Sequence, residues 1–381
     1  MTAGPQDRKT AGPQDNTKEN YNMKQRVVFF LAALILSSLT LNAQRTILNM
    51  PDIPGYVTLK CDFHMHTVFS DGNVWPLIRL DEAWRDGLDA ISITDHVEYQ
   101  PKKNYIPVNH NAAWEISQNR AKDLNIILVH GTEITRSMPP GHFNALFISD
   151  ANPIDTSDFM AAVGAAVKQG AFIQYNHPGW KAQEKDGIPK LYPVHLELIS
   201  KGWLHGIEYF NEYEHYPLVM DMCRDNKLAV MGNSDVHGII SEVYKTTDYS
   251  HRPITLVFAR ERSHEALREA MFAGRTAVWY GDSLAGFEEY VAPLFRAAVS
   301  TMAPFKEDEK NIWFELLNNS DLPMTFTGGP AGAPAEISLP ARSAVIVKAD
   351  KKYLAEPIPY NVSNIITGSS STLRVEITPG K

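Results

Sequence analysis

Short apolar runs alternate with amphipathic stretches from residue 55 to about 235. The runs at 57–63, 89–93, 126–131, 144–148, 171–175, 206–210 and 228–232 are mostly apolar throughout rather than at every second position. That is the pattern of strands covered on both faces. Between them, 77–86, 112–123, 157–168 and 216–226 repeat apolar residues at helical spacing. Repeated βα units predict a parallel sheet or a barrel. Residues 254–280 add a strand, a helix at 263–272 and an extended stretch at 275–280.

The pattern changes near residue 287. One helical stretch, 288–299, leads into alternating segments at 311–317, 324–328, 335–339, 344–349 and 372–377, separated by Gly, Pro, Asn and Ser. Short strands at this spacing predict a small β-sandwich over 287–381. This tail has no histidine and offers no catalytic pattern. It is the expected surface for any self-association.

The first 22 residues are low in complexity, with TAGPQD at Thr2 and again at Thr10. Met23-Lys24-Gln25-Arg26 then precedes an apolar run from Val27 to Leu41 and a small residue, Ala43. A basic start, an apolar run and a small residue make a secretory signal at 23–43, with Met23 as the expected start and Gln44 the first mature residue. The run is short for a spanning helix, which needs ~20 residues, so no stable membrane span is expected after cleavage. The mature protein is expected to be periplasmic or extracellular.

Charge narrows the partners. The chain carries a formal net charge of −8, and loss of 1–43, with five basic and three acidic residues, makes it −10. An exported acidic protein is a poor nucleic-acid partner. Two cysteines, Cys61 and Cys223, exclude a Cys-rich zinc module or a disulfide framework. Both fall in predicted elements and read as buried free thiols.

The chemistry lies in the histidines. No Gly-rich phosphate loop, dinucleotide fingerprint or G-x-S-x-G elbow is present. Yet His64 and His66 sit two apart at a strand end, on one face. Asp71 follows in Ser70-Asp71-Gly72; His96 ends the second strand; Glu133 ends the third; His142 opens the fourth; His177 ends the fifth; Asp235 and His237 end the seventh. In a barrel these strand ends form the active-site face. The result is nine nitrogen or oxygen donors, more than one catalytic ion needs. The other seven histidines, His110, His130, His195, His205, His215, His251 and His264, show no such phasing.

Taken in order, DFHMHTVFSDG, GLDAISITDH, GTEI, GHFNAL, NHPGW and NSDVHG resemble the motifs of the PHP family, the polymerase and histidinol phosphatase superfamily of metal-dependent phosphoesterases. The resemblance covers about 57–285 and leaves the tail outside it. It implies a distorted (β/α)7 TIM-like barrel over 44–286, with up to three divalent ions at the C-terminal face. It further implies that His64, His66, Glu133 and Asp235 hold the first ion, that Glu133 bridges to a second completed by His142 and His177, and that Asp71, His96 and His237 hold the third. Asp62 and Asp95 adjoin these residues as orienting carboxylates or barrel-end salt bridges.

A cluster of two or three divalent ions, Zn, Mn or Fe by its His-rich ligation, attracts a phosphate dianion and activates water. The expected activity is therefore hydrolysis of a small phosphorylated substrate, with His177, His237 and Asp235 as the catalytic groups. Arg136 and Lys181 are the expected phosphate grips. Trp180, Tyr209 and Tyr213 are pocket or core aromatics. Two other readings compete: hydrolysis of amides or esters on the same cluster, and a non-catalytic metal- or glycan-binding protein.

Overall fold

Each apolar run becomes a strand because layers on both sides exclude water from it. In the computed structural model, which describes Met1, Gly4 and residues 44–244 and 251–380, all four residues of β2 (Ala90–Ile93), β4 (Phe143–Leu146) and β5 (Phe172–Tyr175) are buried. The low-complexity and signal segments expected over 1–43 lie almost wholly outside the described residues. From Thr46 onward the chain forms one unit.

β1 (Val57–Asp62) pairs in parallel with β2, and β2 with β3 (Ile127–Ile134). β4 runs antiparallel to β3, with Glu133 opposite Asn144, and antiparallel to β5. β5, β6 (Gly206–Asn211) and β8 (Ala229–Asn233) are parallel again, while β7 is only Glu214–His215. Past the last residue of β1, the Asp235 N–H donates to the His64 carbonyl at 2.8 Å and the His66 N–H to the Val236 carbonyl at 3.0 Å. These bonds bring the end of β8 back to the end of β1. The C-terminal ends of six parallel strands therefore open on one mouth.

This is a mixed α/β fold with a parallel-rich sheet, not a regular (β/α)7 repeat. No helix separates β3 from β4, and β4 is antiparallel. β9 (Ile254–Ala259) lies antiparallel along the first part of β1, followed by antiparallel β10 (Thr276–Tyr280) and β11 (Ser283–Gly286). Helices Pro76–Arg85, Ala112–Asp123, Phe159–Val167, Pro193–Ser200 and Leu218–Asn226 each bury one face. Pro193–Ser200 was not expected from periodicity. Proline opens it at the first helical position, where no N–H is needed.

The tail divides between two sheets. β12 (Val299–Thr301), β13 (Lys306–Glu307), β14 (Asn311–Asn318) and β17 (Ala344–Asp350) form one, in which β14 buries every second residue. β15 (Met324–Thr327), β16 (Glu336–Leu339), β18 (Ile358–Gly368) and β19 (Ser371–Ile377) belong to the other, in which β18 joins them by parallel pairing with β11 to the large sheet that holds β1 to β11. Phe314 and Val347 of the first layer share a core with Phe326 and Val362 of the second. Among the described residues no helix is long and apolar enough to cross a membrane. Cys61 and Cys223 are buried free thiols.

Candidate metal centre

The strand ends are held by polar groups that leave the ring nitrogens free to converge. Asp62 is wholly buried; its carboxylate accepts from the Ser234 N–H at 3.1 Å and hydroxyl at 2.6 Å and pairs with Arg252 at 3.2 Å. Burial pushes the Asp62 carboxyl up, against the Arg252 charge. Asp95 accepts from the Thr67 N–H at 2.7 Å and hydroxyl at 2.6 Å, and from the Ser70 hydroxyl at 2.6 Å. That fixes the loop carrying Asp71. Gly72 closes this loop against the His66 backbone, where a Cβ would fall 2.5 Å from the carbonyl carbon. Arg79, also fully buried, donates to the carbonyls of His66 at 2.9 Å and Val236 at 2.9 Å. Each of these groups fixes backbone beside a candidate ligand.

The nine expected donors meet at the mouth. Asp235 Oδ1 stands 2.9 Å from His66 Nε2 and 3.2 Å from His64 Nε2. Glu133 lies among His64 (3.5 Å), His66 (3.6 Å), His142 (3.1 Å), His177 (3.7 Å) and His96 (2.6 Å). Asp71 Oδ1 faces His237 at 3.2 Å, His96 at 3.6 Å and His66 at 3.8 Å. Four clusters of ligand atoms result: His64–His66–Asp235, His64–Glu133–His177, His96–Glu133–His142 and His66–Asp71–His96–His237. The partition differs from the expected one in two ways. His66 faces the Asp71 group as well as Asp235, and His96 faces Glu133 as well as Asp71.

His64 Nε2, His66 Nε2, Glu133 Oε2 and Asp235 Oδ1 are buried, and the close polar contacts they make with one another and with His96 lack hydrogen-bond geometry. An unsatisfied buried polar atom costs about 1–3 kcal/mol. Four gathered at one point, in a region otherwise rich in satisfied polar groups, fit a shared divalent cation. The electrostatics agree. Burial would raise the Glu133 and Asp235 carboxyls, but the imidazoles around them hold both well below the usual range. Burial would lower His96, yet Glu133 and Asp71 push it up to about 10. Burial, with His96 and His237, takes His66 down to about 3. The cluster thus attracts positive charge.

Glu208 was missed. It lies within the apolar run of β6 and is completely buried. One oxygen accepts from His64 Nδ1 (2.9 Å), Gln174 (3.1 Å) and Asn233 (2.9 Å); the other accepts from the His177 N–H (2.7 Å) and Asn211 (2.9 Å). Holding the Nδ1 hydrogen of His64 turns its Nε2 lone pair toward Asp235. Asn211 in turn donates to Asp235 at 3.2 Å. The signal was available: a carboxylate inside GIEYF, at the one strand end to which no donor had been assigned. His177, Glu212 and Asp235, at the ends of β5, β6 and β8, have positive φ of 27°, 48° and 49°. Non-glycine residues in this region cluster at functional sites.

A cavity of about 280 Å³ opens above the cluster, lined by Asp71, His96, Glu133, His142, His177, Asp235 and His237, and by Tyr99, Thr135, Trp180, Asn211 and Glu212. Larger hollows elsewhere contain none of the nine donors. Arg136 does not reach this cavity. Its guanidinium pairs with Glu98 and donates to the carbonyls of Thr135 and Thr156. Lys181 is exposed and stands outside the lining, its stem near Gly187. Of the aromatics, Trp180 lines the cavity; Tyr209 is in the core against Tyr280, and Tyr213 is on the surface. None of the seven unphased histidines lines it.

Compared with solved structures, the chain matches a two-domain protein from Bacteroides vulgatus containing a predicted PHP-like metal-dependent phosphoesterase. Identity is 38%, the TM-score is 0.83, and the match covers 88% of this chain and 99% of that one. The chain belongs to the PHP-like metal-dependent phosphoesterases. The match is too long to stop at residue 286, so the likeness of this PHP-like chain extends into its β tail. Membership and the donor clusters together make it a metal-dependent hydrolase. A structure from Bifidobacterium adolescentis, named a "putative metal-dependent phosphoesterase", matches at 17% identity and a TM-score of 0.37, over 47% of this chain and 87% of that one, which carries no further weight. No family model matches the sequence, and no curated protein does.

Proposed function

We propose that this PHP-like protein is an exported phosphoesterase that hydrolyses a small phosphorylated substrate with water activated at a cluster of two or three divalent ions. The observation that supports it most is the convergence of four buried ligand atoms lacking hydrogen-bond geometry beneath a small open cavity. His64, His66, Glu133, Asp235, His142, His177, Asp71, His96 and His237 would hold the ions. Ions held there supply Lewis acidity toward phosphoryl oxygens and a nucleophile from water. The chain's own residues set the geometry. Glu208 and Asn211 orient His64, His177 and Asp235.

His237 would hold an ion through Nε2, and a ring held in that way has no proton to pass to the leaving oxygen. Its side chain is 34% exposed, the most of the six histidines, and its Nδ1 is held by the Asp235 carbonyl at 2.8 Å, leaving Nε2 toward Asp71 and the cavity. His177 is only 7% exposed, and its Nε2 likewise faces carboxylates, Glu133 and Asp235. The activity test is a screen of the metal-loaded protein on phosphomonoesters, phosphodiesters, amides and carboxylic esters. Turnover of phosphoesters alone is the expected result; turnover of amides or esters alone would overturn the reading. Export is tested by N-terminal sequencing of the native protein. A start at Gln44 is expected, and a cytoplasmic product beginning at Met1 or Met23 would refute it.

A further inference from the structure

The walls of the cavity select for what is attached to the phosphoryl group. Tyr99 follows β2 and packs edge-on against His96, with ring centres 6.1 Å apart. Trp180 follows β5 and packs edge-on against His177 at 5.3 Å. Both line the cavity, yet they remain 52% and 41% exposed. Apolar rings left open at the rim of a polar cavity are surface a ligand can cover. Trp180 is rigidly placed: its N–H donates to the His177 carbonyl at 3.0 Å, and its own carbonyl accepts from Gln183 and Glu184. Gly179 beside it is packed so closely that a Cβ would lie 2.7 Å from the Gly187 carbonyl and 2.8 Å from the Tyr216 ring.

The charges around the rim are one-sided. Glu212 lines the cavity, and its carboxylate has no ion pair or hydrogen bond among the described residues. The nearby cations are turned elsewhere. Arg136 is paired with Glu98, Lys102 donates to the carbonyls of Ser70 (3.3 Å) and Gly72 (2.7 Å), and Lys181 is outside the lining. Among the described residues no Lys or Arg lines the cavity. Bound metal would neutralise one phosphoryl group, but among the described residues nothing on the walls would neutralise a second anion, and Glu212 would repel it. The volume of about 280 Å³ is at the small end for ligand sites, enough for one phosphoryl group and one ring.

We propose, resting on the phosphoesterase reading above, that the substrate carries a single phosphoryl group on a flat ring system with no other negative charge, the ring held by Tyr99 and Trp180 and any positive or hydroxyl substituent directed to Glu212. The site discriminates against esters bearing a second anionic group and against esters whose ring is not flat.

Three synthetic phosphates of primary alcohols separate these effects, with Trp180→Ala as the reference for intrinsic leaving-group differences: benzyl phosphate, cyclohexylmethyl phosphate and 4-carboxybenzyl phosphate, assayed with the metal-loaded full chain. Benzyl phosphate should exceed each of the others by about tenfold or more in kcat/KM. Trp180→Ala should remove the preference for benzyl over cyclohexylmethyl phosphate, chiefly through KM. Glu212→Gln should improve the carboxybenzyl ester selectively. A readout independent of turnover is quenching of tryptophan emission by benzylphosphonate, expected in the wild type and lost in Trp180→Phe. Equal rates on benzyl and cyclohexylmethyl phosphate, or a carboxybenzyl penalty unchanged by Glu212→Gln, would overturn this inference and leave the phosphoesterase intact. Hydrolysis of none of the three, with amides or carboxylic esters cleaved, would overturn the underlying reading instead.

Discussion

Replacing Glu208 by Gln keeps the size and shape of the side chain and changes only what it can accept. The native carboxylate takes five donors, three on one oxygen and two on the other. An amide has one oxygen. In its better orientation that oxygen keeps His64, Gln174 and Asn233, and the NH2 faces the N–H of His177 and the amide of Asn211. Two hydrogen bonds to a charged group are then lost and donors oppose donors. At about 1.5–3 kcal/mol each, the loss is about 3–6 kcal/mol, a large share of the ~5–15 kcal/mol that holds a domain together. Groups behind a metal-ligating imidazole usually govern affinity by about 10–100-fold, so zinc binding should weaken by a similar factor. Urea unfolding of the metal-free full chain, followed by tryptophan emission, measures the first quantity; competition with a chromophoric chelator measures the second. A stability loss under about 1 kcal/mol together with unchanged zinc affinity would show that Glu208 does not organise the centre.

Further expectations concern the ligands, a buried histidine and the rim. His64→Ala, Glu133→Gln and Asp235→Asn should each lower the metal content found by elemental analysis, whereas His110→Ala and His264→Ala should not; full retention in the first three would refute the donor map. His130 is 4% exposed, has neither ring nitrogen hydrogen-bonded, and stacks on Trp114 at 4.3 Å; burial lowers it to about 4. Its neutral form therefore contributes stability that is complete above pH 6.5 and gone below about pH 4, roughly 3 kcal/mol in all. His130→Phe should flatten the fall in stability across that window, and an unchanged slope would count against it. Arg136→Ala should alter phosphoester kcat/KM by less than about threefold, since the guanidinium faces Glu98. A larger selective loss with full metal content would show that Arg136 leaves Glu98 to meet substrate.

The strand ends were the most legible part of the chain. Their donors are hydrophilic residues that interrupt apolar runs at a regular phase, and burial makes such interruptions costly unless they converge. Side-chain direction was not legible. Arg136 follows Glu133 by three residues, but Glu98, at the end of another strand, competes for its charge. Glu208 was hidden because its side-chain amide partners, Gln174 and Asn233 on other strands and Asn211 at the end of its own, are neutral. In the tail, β18 was missed because Pro357 and Pro359 argue against a strand. The ladder tolerates Pro359 because β15 meets β18 only at Asn361 and Val362. The antiparallel β4 escaped for a different reason: apolar composition reports burial and not direction.

The pairing of β18 with β11 has a consequence for anyone dividing this protein. Leu284 and Ala285 lie opposite Ile365 and Ile366, so a chain cut at residue 287 would leave the β11 edge bare, with open backbone donors and acceptors beside an apolar face. Such an edge recruits other strands. In the intact molecule the long sheet path runs out at β16, of four residues, and at β7, of two, both too short to serve as templates. The tail is in this sense a guard against self-assembly. A truncated catalytic half is expected to fail by aggregation before any defect in its chemistry can be observed.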